Sequence, residues 1–383
     1  MIYLDNAAST WPKPPGVAEA VKEMVANNGA NPGRGTHKMA MQAARVVARA
    51  RSAVATLFGV RNPEDLIFTH NATEALNMAI FGLLKPGDHV VTTMLEHNSV
   101  RRPLEALRRR GWIEVTYVQS TENGIEPEKV RAAFRSDTRL LAVTHASNVL
   151  GTLVDIDAMT EIAHANGAFC LVDAAQTAGS FPIDVTRSEI DLLAVPGHKG
   201  LFGPQGTGAL YIRPGLELEP FLYGGTGSHS EEPDQPLERP IRYESGTLNT
   251  PGLAGLAVGA EFVSQIGPSA IGQHNQALIQ SLREGLESLP GIKFTGPGRG
   301  EPRADLLAFS LRGVDSTELA VLLSDQYEIA VRSGLHCSPL AHQVAGTLDE
   351  GLVRVSVSWF NTENDIRECV AAIRELADFL RDG

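Results

Sequence analysis

Lys199 stands in the run P-G-H-K-G-L-F-G-P-Q-G-T-G-A-L-Y-I, where glycines close around one amine just after the apolar stretch 190–195. A lysine that must hold its amine against one carbon of a cofactor needs such a setting, and the chemistry it offers is a Schiff base with a carbonyl carbon. Taken alone, the pattern also fits a lysine that simply faces solvent. Cys337, in V-R-S-G-L-H-C-S-P-L-A-H, is the candidate if one cysteine is reactive, and on its residues alone it reads equally well as structural. Its neighbours are polar and turn-forming, whereas Cys170 inside F-C-L-V reads as core and Cys369 in the terminal helix as packed or semi-exposed. His336 and Arg332 beside it offer positive potential, which favours the thiolate. His336 reads equally well as a loop-positioning or solvent-facing residue.

Other groups suit a ligand with several charges. Arg354 opens V-R-V-S-V-S, and its fork fits either an α-carboxylate through two hydrogen bonds or an internal salt bridge. Asp173 in C-L-V-D-A-A-Q either caps the next helix or pairs with a cofactor cation, and Gln176 follows one helical turn later. In F-T-H-N-A-T-E-A-L-N, the free amides of a helix starting near Ala72 and the hydroxyl of Thr73 can cradle a phosphate, or merely form an ordinary first turn. His97 in L-E-H-N-S offers a planar ring to cover a cofactor face, unless it is an ordinary loop histidine. His198, beside the lysine, is placed to meet a phosphate.

These residues need a frame that brings them together. Short apolar runs at 66–69, 89–93, 114–118, 140–144 and 169–172 read as strands, and 73–84, 98–110, 126–136 and 157–166 between them read as helices. Such alternation predicts an α/β protein with a mostly parallel sheet covered on both faces. Ligands of such sheets gather at the carboxyl ends of the strands. His97, Asn148, Asp173 and Lys199 all fall at or just beyond such ends, a repetition that independent surface residues would have no reason to show. The segment 224–246, rich in glycine, proline and acids, reads as a long boundary loop. Helices at 251–262 and 269–289, strands at 306–311, 328–332 and 353–358, and a helix at 362–380 then make a smaller α+β domain. The expected division is 16–250 for the large domain and 1–15 with 251–383 for the small one.

The full set of motifs resembles the cysteine desulfurase branch of the class V aminotransferase family, enzymes of fold type I that depend on pyridoxal 5'-phosphate. The resemblance runs from Y-L-D-N-A-A through N-A-T-E-A-L-N, E-H-N-S, S-N-V-L-G, V-D-A-A-Q and G-H-K-G-L-F-G-P-Q-G-T-G-A-L-Y to R-S-G-L-H-C and V-R-V-S-V-S-W-F-N-T. It implies that Lys199 forms the Schiff base, His97 stacks on the ring, and Asp173 meets the pyridine nitrogen. Gln176 is implied near the phenolic oxygen, with Ala72, Thr73 and His198 at the phosphate. Thr247, in a G-T pair, is implied to reach the phosphate of a second subunit, hence a homodimer. Arg354 is implied as the anchor of the carboxylate of L-cysteine, assisted by Asn148, with Arg332 and His336 nearby. Cys337 then takes the sulfur as a persulfide and alanine is released. The compact R-S-G-L-H-C-S resembles the shorter catalytic-loop branch, so an acceptor protein must approach the site. One position departs: many members carry serine where this chain has Pro196.

Composition narrows the field further. With 383 residues and 43% hydrophobic content, the chain can bury the cores of two domains. A net charge of -12 argues against nucleic-acid backbone binding. Arg101, Arg102, Arg108, Arg109 and Arg110 read as one solvated helix face. Three cysteines without CxxC or zinc-like spacing give neither a disulfide framework nor a metal site. No spanning segment or signal peptide is visible, which makes a cytoplasmic location the expectation. Selenocysteine lyase, a related lyase or transaminase, and a non-catalytic sulfur-assembly scaffold are the competing readings. The sulfur's destination, iron-sulfur cluster assembly or another pathway, is not written in the chain.

Overall fold

A computed structural model describes every residue except Arg34, His229, Ser230 and Gly383, and no side chain of residues 380–382. His229 and Ser230, within the expected boundary loop, therefore lie outside the described residues. The chain opens with β1 (Ile2–Tyr3), α1 (Val17–Asn27) and α2 (Lys38–Leu57). It continues through β2 (Leu66–Thr69), α3 (Ala72–Leu83), β3 (His89–Thr93), α4 (Asn98–Arg109), β4 (Glu114–Val118) and α5 (Pro127–Ala132). Next come β5 (Thr138–Thr144), α6 (Ile156–Ala165), β6 (Phe169–Asp173), β7 (Leu192–Pro196) and β8 (Gly208–Ile212). Among the described residues these strands form a seven-stranded sheet in the order β2-β8-β7-β6-β5-β3-β4, parallel except where β8 runs against both neighbours.

Every residue of β3, β6 from Cys170 on, and β7 is buried, as a parallel sheet covered on both faces requires. Successive residues divide between two cores, because side chains alternate along a strand. Val143, Val172 and Val195 pack with Val54 of α2 and Ile162 of α6. Their neighbours Ala142, Leu171 and Ala194 pack on the other face with Leu76 and Ile80 of α3 and Leu104 of α4.

The remainder comprises α7 (Thr250–Ile266), α8 (Pro268–Glu287), β9 (Ile292–Thr295), β10 (Leu306–Leu311) and α9 (Ser316–Tyr327). After these come β11 (Ile329–Ala330), β12 (Arg332–Gly334), α10 (Pro339–Ala345), β13 (Leu352–Ser356) and α11 (Glu363–Asp382). A four-stranded sheet, β12-β13-β10-β9, packs Phe309, Val353 and Val355 against Leu282 of α8, Leu323 of α9 and Ile373 of α11. Helix α7 buries Leu253, Leu256 and Ala260 in the core of the large sheet, ahead of this smaller unit.

Two of the departures from the sequence expectations concern how strands pair. The strand expected at 328–332 is split: β11 pairs with β1 and β12 with β13, so the chain changes sheets at Val331. Strand β8 had no counterpart among the expected strands. Its first residue, Gly208, packs so closely under the start of α3 that a Cβ there would stand 2.8 Å from the Asn71 carbonyl carbon. No side chain fits while α3 begins at that point, which accounts for one glycine of the P-Q-G-T-G-A run.

Candidate active site

Register places the functional strand ends side by side: Thr144 lies opposite Asp173, and Asp173 opposite Ala194. The loops that leave these ends meet the N-termini of α3 and α4 around a cleft of about 190 Å3. Ala72, Thr73, His97, Asn148, Asp173, Gln176, His198 and Lys199 all line it. The sequence-predicted residues outside its lining are Thr247, Arg332, His336, Cys337 and Arg354.

Lys199 sits in a turn held from behind. A Cβ on Gly200 would meet the Ala178 carbonyl oxygen at 2.2 Å, so only glycine lets the lysine turn lie against the segment that follows Asp173. From the other side Thr10 donates through its backbone amide to the His198 carbonyl (3.1 Å) and through its hydroxyl to the Lys199 carbonyl (2.9 Å). Lys13 adds a 2.9 Å bond to the same His198 carbonyl. The Lys199 amine itself has no hydrogen-bond partner among the described residues. Burial pushes it down to about 8, with Asp173 and Asp5 opposing and Arg354 and Arg332 adding to the effect.

Asp173 is 3% exposed. One of its oxygens accepts from the Ala175 amide at 2.9 Å, and the other has no partner among the described residues. Burial raises its pKa, with that amide and Lys199 working against the rise. A buried carboxylate with a free oxygen calls for a cation or a donor opposite it. A protonated pyridine nitrogen is such a group.

His97 caps α4: its Nδ1 accepts from the Ser99 amide at 3.1 Å, which places the proton of the neutral ring on Nε2. Burial, then the charges of Lys199 and nearby arginines, push it down to about 4, so the ring is neutral. A neutral ring can lie on a cationic heterocycle without charge repulsion. The Ser99 hydroxyl stands 2.9 Å from the same Nδ1 and 2.8 Å from the Thr73 hydroxyl, linking the ring to the start of α3. At that start Asn71 caps the Glu74 amide at 2.9 Å, leaving the Ala72 and Thr73 amides without partners among the described residues. A twelve-residue helix presenting two free amides suits a phosphate. The ring of His198 has a buried Nδ1 with no partner and is pushed down to about 4, chiefly by burial. Pro196 lines the same cleft and brings no hydroxyl to it; the lining hydroxyl residues are Thr73, Ser99 and Thr144.

Gln176 lines the cleft while its side-chain amide donates to the Ala7 carbonyl at 3.2 Å. Arg354 is buried on β13; its Nη2 meets Asp5 at 3.0 Å and its Nη1 the Asn148 carbonyl at 2.9 Å. Asn148 spends both ends of its side chain on the cysteine loop, donating to the His336 carbonyl and accepting from the Ser338 hydroxyl, each at 2.6 Å. A third tie joins the Asn98 amide of α4 to the Cys337 carbonyl at 2.9 Å. His336 and Cys337 both adopt left-handed backbone, φ 51° and 60°, a conformation costing a non-glycine residue about 1–3 kcal/mol. These three hydrogen bonds tie that turn to Asn148 and α4, and Cys337 is exposed.

The ring of His336 departs from expectation. It stacks on His342 at 5.8 Å, is 5% exposed, and is pushed down to about 2 by burial, Arg354 and His342. Neutral and enclosed, it supplies no positive potential to Cys337. Its contribution is the backbone carbonyl that Asn148 holds. Thr247 lies apart from this cleft, exposed, accepting from the Asn31 amide at 3.2 Å. The other two thiols, Cys170 and Cys369, are fully buried and pushed up to about 12.

Sequence reasoning passed over Asp5, Thr10, Lys13 and Ser99. Asp5 and Ser99 stand inside the quoted motifs Y-L-D-N-A-A and E-H-N-S. Nothing local signals their contacts, which for Thr10 and Asp5 span 189 and 349 residues.

A strand-end cleft with a lysine amine, a free buried carboxylate oxygen, a neutral ring and an anion-ready helix start defines a pyridoxal 5'-phosphate-dependent transferase of fold type I. The aminotransferase class-V family matches residues 2–368, and the chain belongs to that family. A protein of Methanothermobacter thermautotrophicus named "Probable cysteine desulfurase" is 37% identical over 98% of this chain and 94% of its own length. An Escherichia coli protein named "Cysteine desulfurase" is 33% identical over 98% and 93%. The apo structure of cysteine desulfurase from Thermococcus onnurineus superposes with a TM-score of 0.91 at 32% identity, covering 99% of this chain and 95% of that one.

A pH dependence follows for cofactor uptake. Only the neutral amine can attack an aldehyde. With its pKa at about 8, roughly 10% of Lys199 is neutral at pH 7, against roughly 0.03% of an ordinary lysine. The rate at which apoprotein takes up pyridoxal 5'-phosphate should rise about tenfold per unit well below pH 8, about fivefold from pH 7 to 8, and level off above that. A stopped-flow absorbance series measures this; a rise continuing towards pH 10 would contradict a depressed lysine.

Proposed function

We propose that this enzyme converts L-cysteine to L-alanine and transfers the sulfur to Cys337 as a persulfide. The observation that carries the reading is the placement of Cys337: the exposed thiol of the three is tied to the same α4 N-terminus that presents His97 to the lysine cleft. The bound cofactor supplies an electron sink for the substrate's α-carbon.

The chain's own groups do the rest. Ala72, Thr73 and His198 would hold the phosphate, Asp173 would keep the ring nitrogen protonated, His97 would cover the ring and Gln176 would face the phenolic oxygen. Arg354 anchors the substrate carboxylate, with Arg332 adding positive charge at the entrance and Asn148 fixing the cysteine loop. Lys199, with a pKa near neutrality, takes the α-proton and later returns it. Cys337 attacks the substrate sulfur, forming a sulfur–sulfur bond as the carbon–sulfur bond breaks. The carbon fragment is protonated and leaves as alanine.

We assign 16–250 to the cofactor domain, with 1–15 and 251–383 as the smaller unit and α7 packing back on the large core. Thr247, exposed and outside the cleft, is proposed to reach the phosphate in the second subunit of a homodimer. A sulfur-acceptor protein is proposed to dock over Cys337, because a loop tied at three points cannot swing far. Among the described residues no helix is long and apolar enough to cross a membrane. The proposed compartment is the cytoplasm, in keeping with three unpaired thiols.

Incubating cofactor-loaded protein with L-cysteine and a thiol reductant should release alanine and sulfide in equal amounts. Pyruvate, or transamination in place of alanine, would contradict the assignment.

A further inference from the structure

The partner of Arg354 bears on how the substrate is bound. The guanidinium is 2% exposed on its side chain and lies directly across the β12–β13 pair from Arg332, so two cations share one face of the sheet. Asp5 is its acidic partner, 20% exposed, and meets it through one oxygen only: Oδ1 to Nη2 at 3.0 Å. The Nη1 group donates to the Asn148 carbonyl, while Nε is buried and has no partner. The edge formed by Nε and Nη2 is the one a carboxylate can grip with both oxygens. Asp5 covers half of that pairing.

The two partners differ in how they can separate. The Arg354 side chain is 2% exposed, so its guanidinium without a counter-charge would be costly. Asp5 sits on the short segment after β1, is partly open to solvent, and can exchange one hydrogen bond for hydration. It also lies close enough to Lys199 to bear on that amine's charge. Asp5 thus touches the carboxylate anchor and bears on the reactive amine, the two groups a bound amino acid must reach.

We propose that Asp5 is a built-in stand-in for the substrate's α-carboxylate: it neutralises Arg354 in the resting protein, yields when an amino acid binds, and thereby sets the affinity for carboxylate ligands. This rests on Arg354 being the carboxylate anchor. A bidentate ligand gains the Nε bond that Asp5 leaves unmade, so displacement is favourable but opposed by the pair it breaks. Cysteamine, which has the amine and thiol of cysteine without the carboxylate, neither needs Arg354 nor displaces Asp5.

The test uses cofactor-loaded Asp5→Asn, which keeps the shape and the acceptor but removes the competing charge. Calorimetric titration with L-alanine should show the Kd falling about tenfold, equivalent to about 1.4 kcal/mol. The KM for L-cysteine should fall in step, and the affinity for cysteamine should stay as it was. If Asp5 merely buttresses Arg354, alanine binding weakens instead, and that result overturns the proposal, as does equal tightening of alanine and cysteamine. Asp5→Ser serves the same comparison if the asparagine variant does not fold. Arg354→Lys separates the layers: undiminished alanine affinity there would remove the anchor reading itself, whereas weakened alanine binding there with no gain in Asp5→Asn would sink the Asp5 proposal alone.

Discussion

Lys199→Ala should lower kcat for alanine formation by roughly 10^4-fold or more, about 5.4 kcal/mol of barrier. Two losses combine. The amine is the group that forms the covalent link to the cofactor, and it is the base placed to take the α-proton. Its environment identifies it: burial holds it at about 8, and no hydrogen bond among the described residues occupies it. Lys199→Arg is the sharper variant, because it keeps the positive charge but cannot give a neutral base. Both variants should still bind pyridoxal 5'-phosphate noncovalently through the α3 amides and Asp173. Absorbance after gel filtration, with and without borohydride reduction, checks that the cofactor is present and unlinked. Turnover within tenfold of the parent protein would remove Lys199 from the mechanism.

Cys337→Ala has a different signature. Sulfur transfer should fall by at least about 10^3-fold, about 4 kcal/mol. Exchange of the substrate α-proton with deuterated solvent should persist, since Lys199, Asp173 and Arg354 are untouched. Deuterium incorporation into L-alanine, followed by proton NMR, separates the two steps. The buried thiols provide the contrast. Cys170 and Cys369, fully enclosed and held protonated by burial, should lose no transfer activity when changed to alanine. Loss of transfer in Cys170→Ala, with the protein folded, would show that the sulfur takes another route.

The legible part of this protein is the part written in local pattern. The buried strands β5, β6 and β7 carry near-continuous apolar runs, and the helices between the strands carry apolar stripes. Once the sheet is read as parallel, His97, Asn148, Asp173 and Lys199 must converge, because they follow strands that end on one edge. The glycines around Lys199 marked the setting of its amine, but not that Gly200 is pressed against the Ala178 carbonyl. What the sequence did not disclose depends on contacts without a local signature. The N-terminal segment reaches Lys199 through Thr10 and Arg354 through Asp5, across hundreds of residues. His336 looked like a charge donor because it precedes Cys337; its left-handed backbone instead accompanies a ring stacked on His342, where burial keeps it neutral. Asn148 was expected to assist Arg354 at the substrate, and its side chain is tied to the cysteine loop while its carbonyl meets Arg354. The split of the strand at 328–332 reflects a change of partner sheet at one residue, which periodicity cannot register.

The most direct test is a single turnover without reductant: cofactor-loaded protein is mixed with one equivalent of L-cysteine, quenched, and examined for alanine and by peptide mass mapping. One alanine per active site is expected, with one added sulfur atom, about 32 Da, on the peptide containing Cys337 and with Cys170 and Cys369 unmodified. Alanine formed with no sulfur on Cys337 would contradict transfer to that thiol.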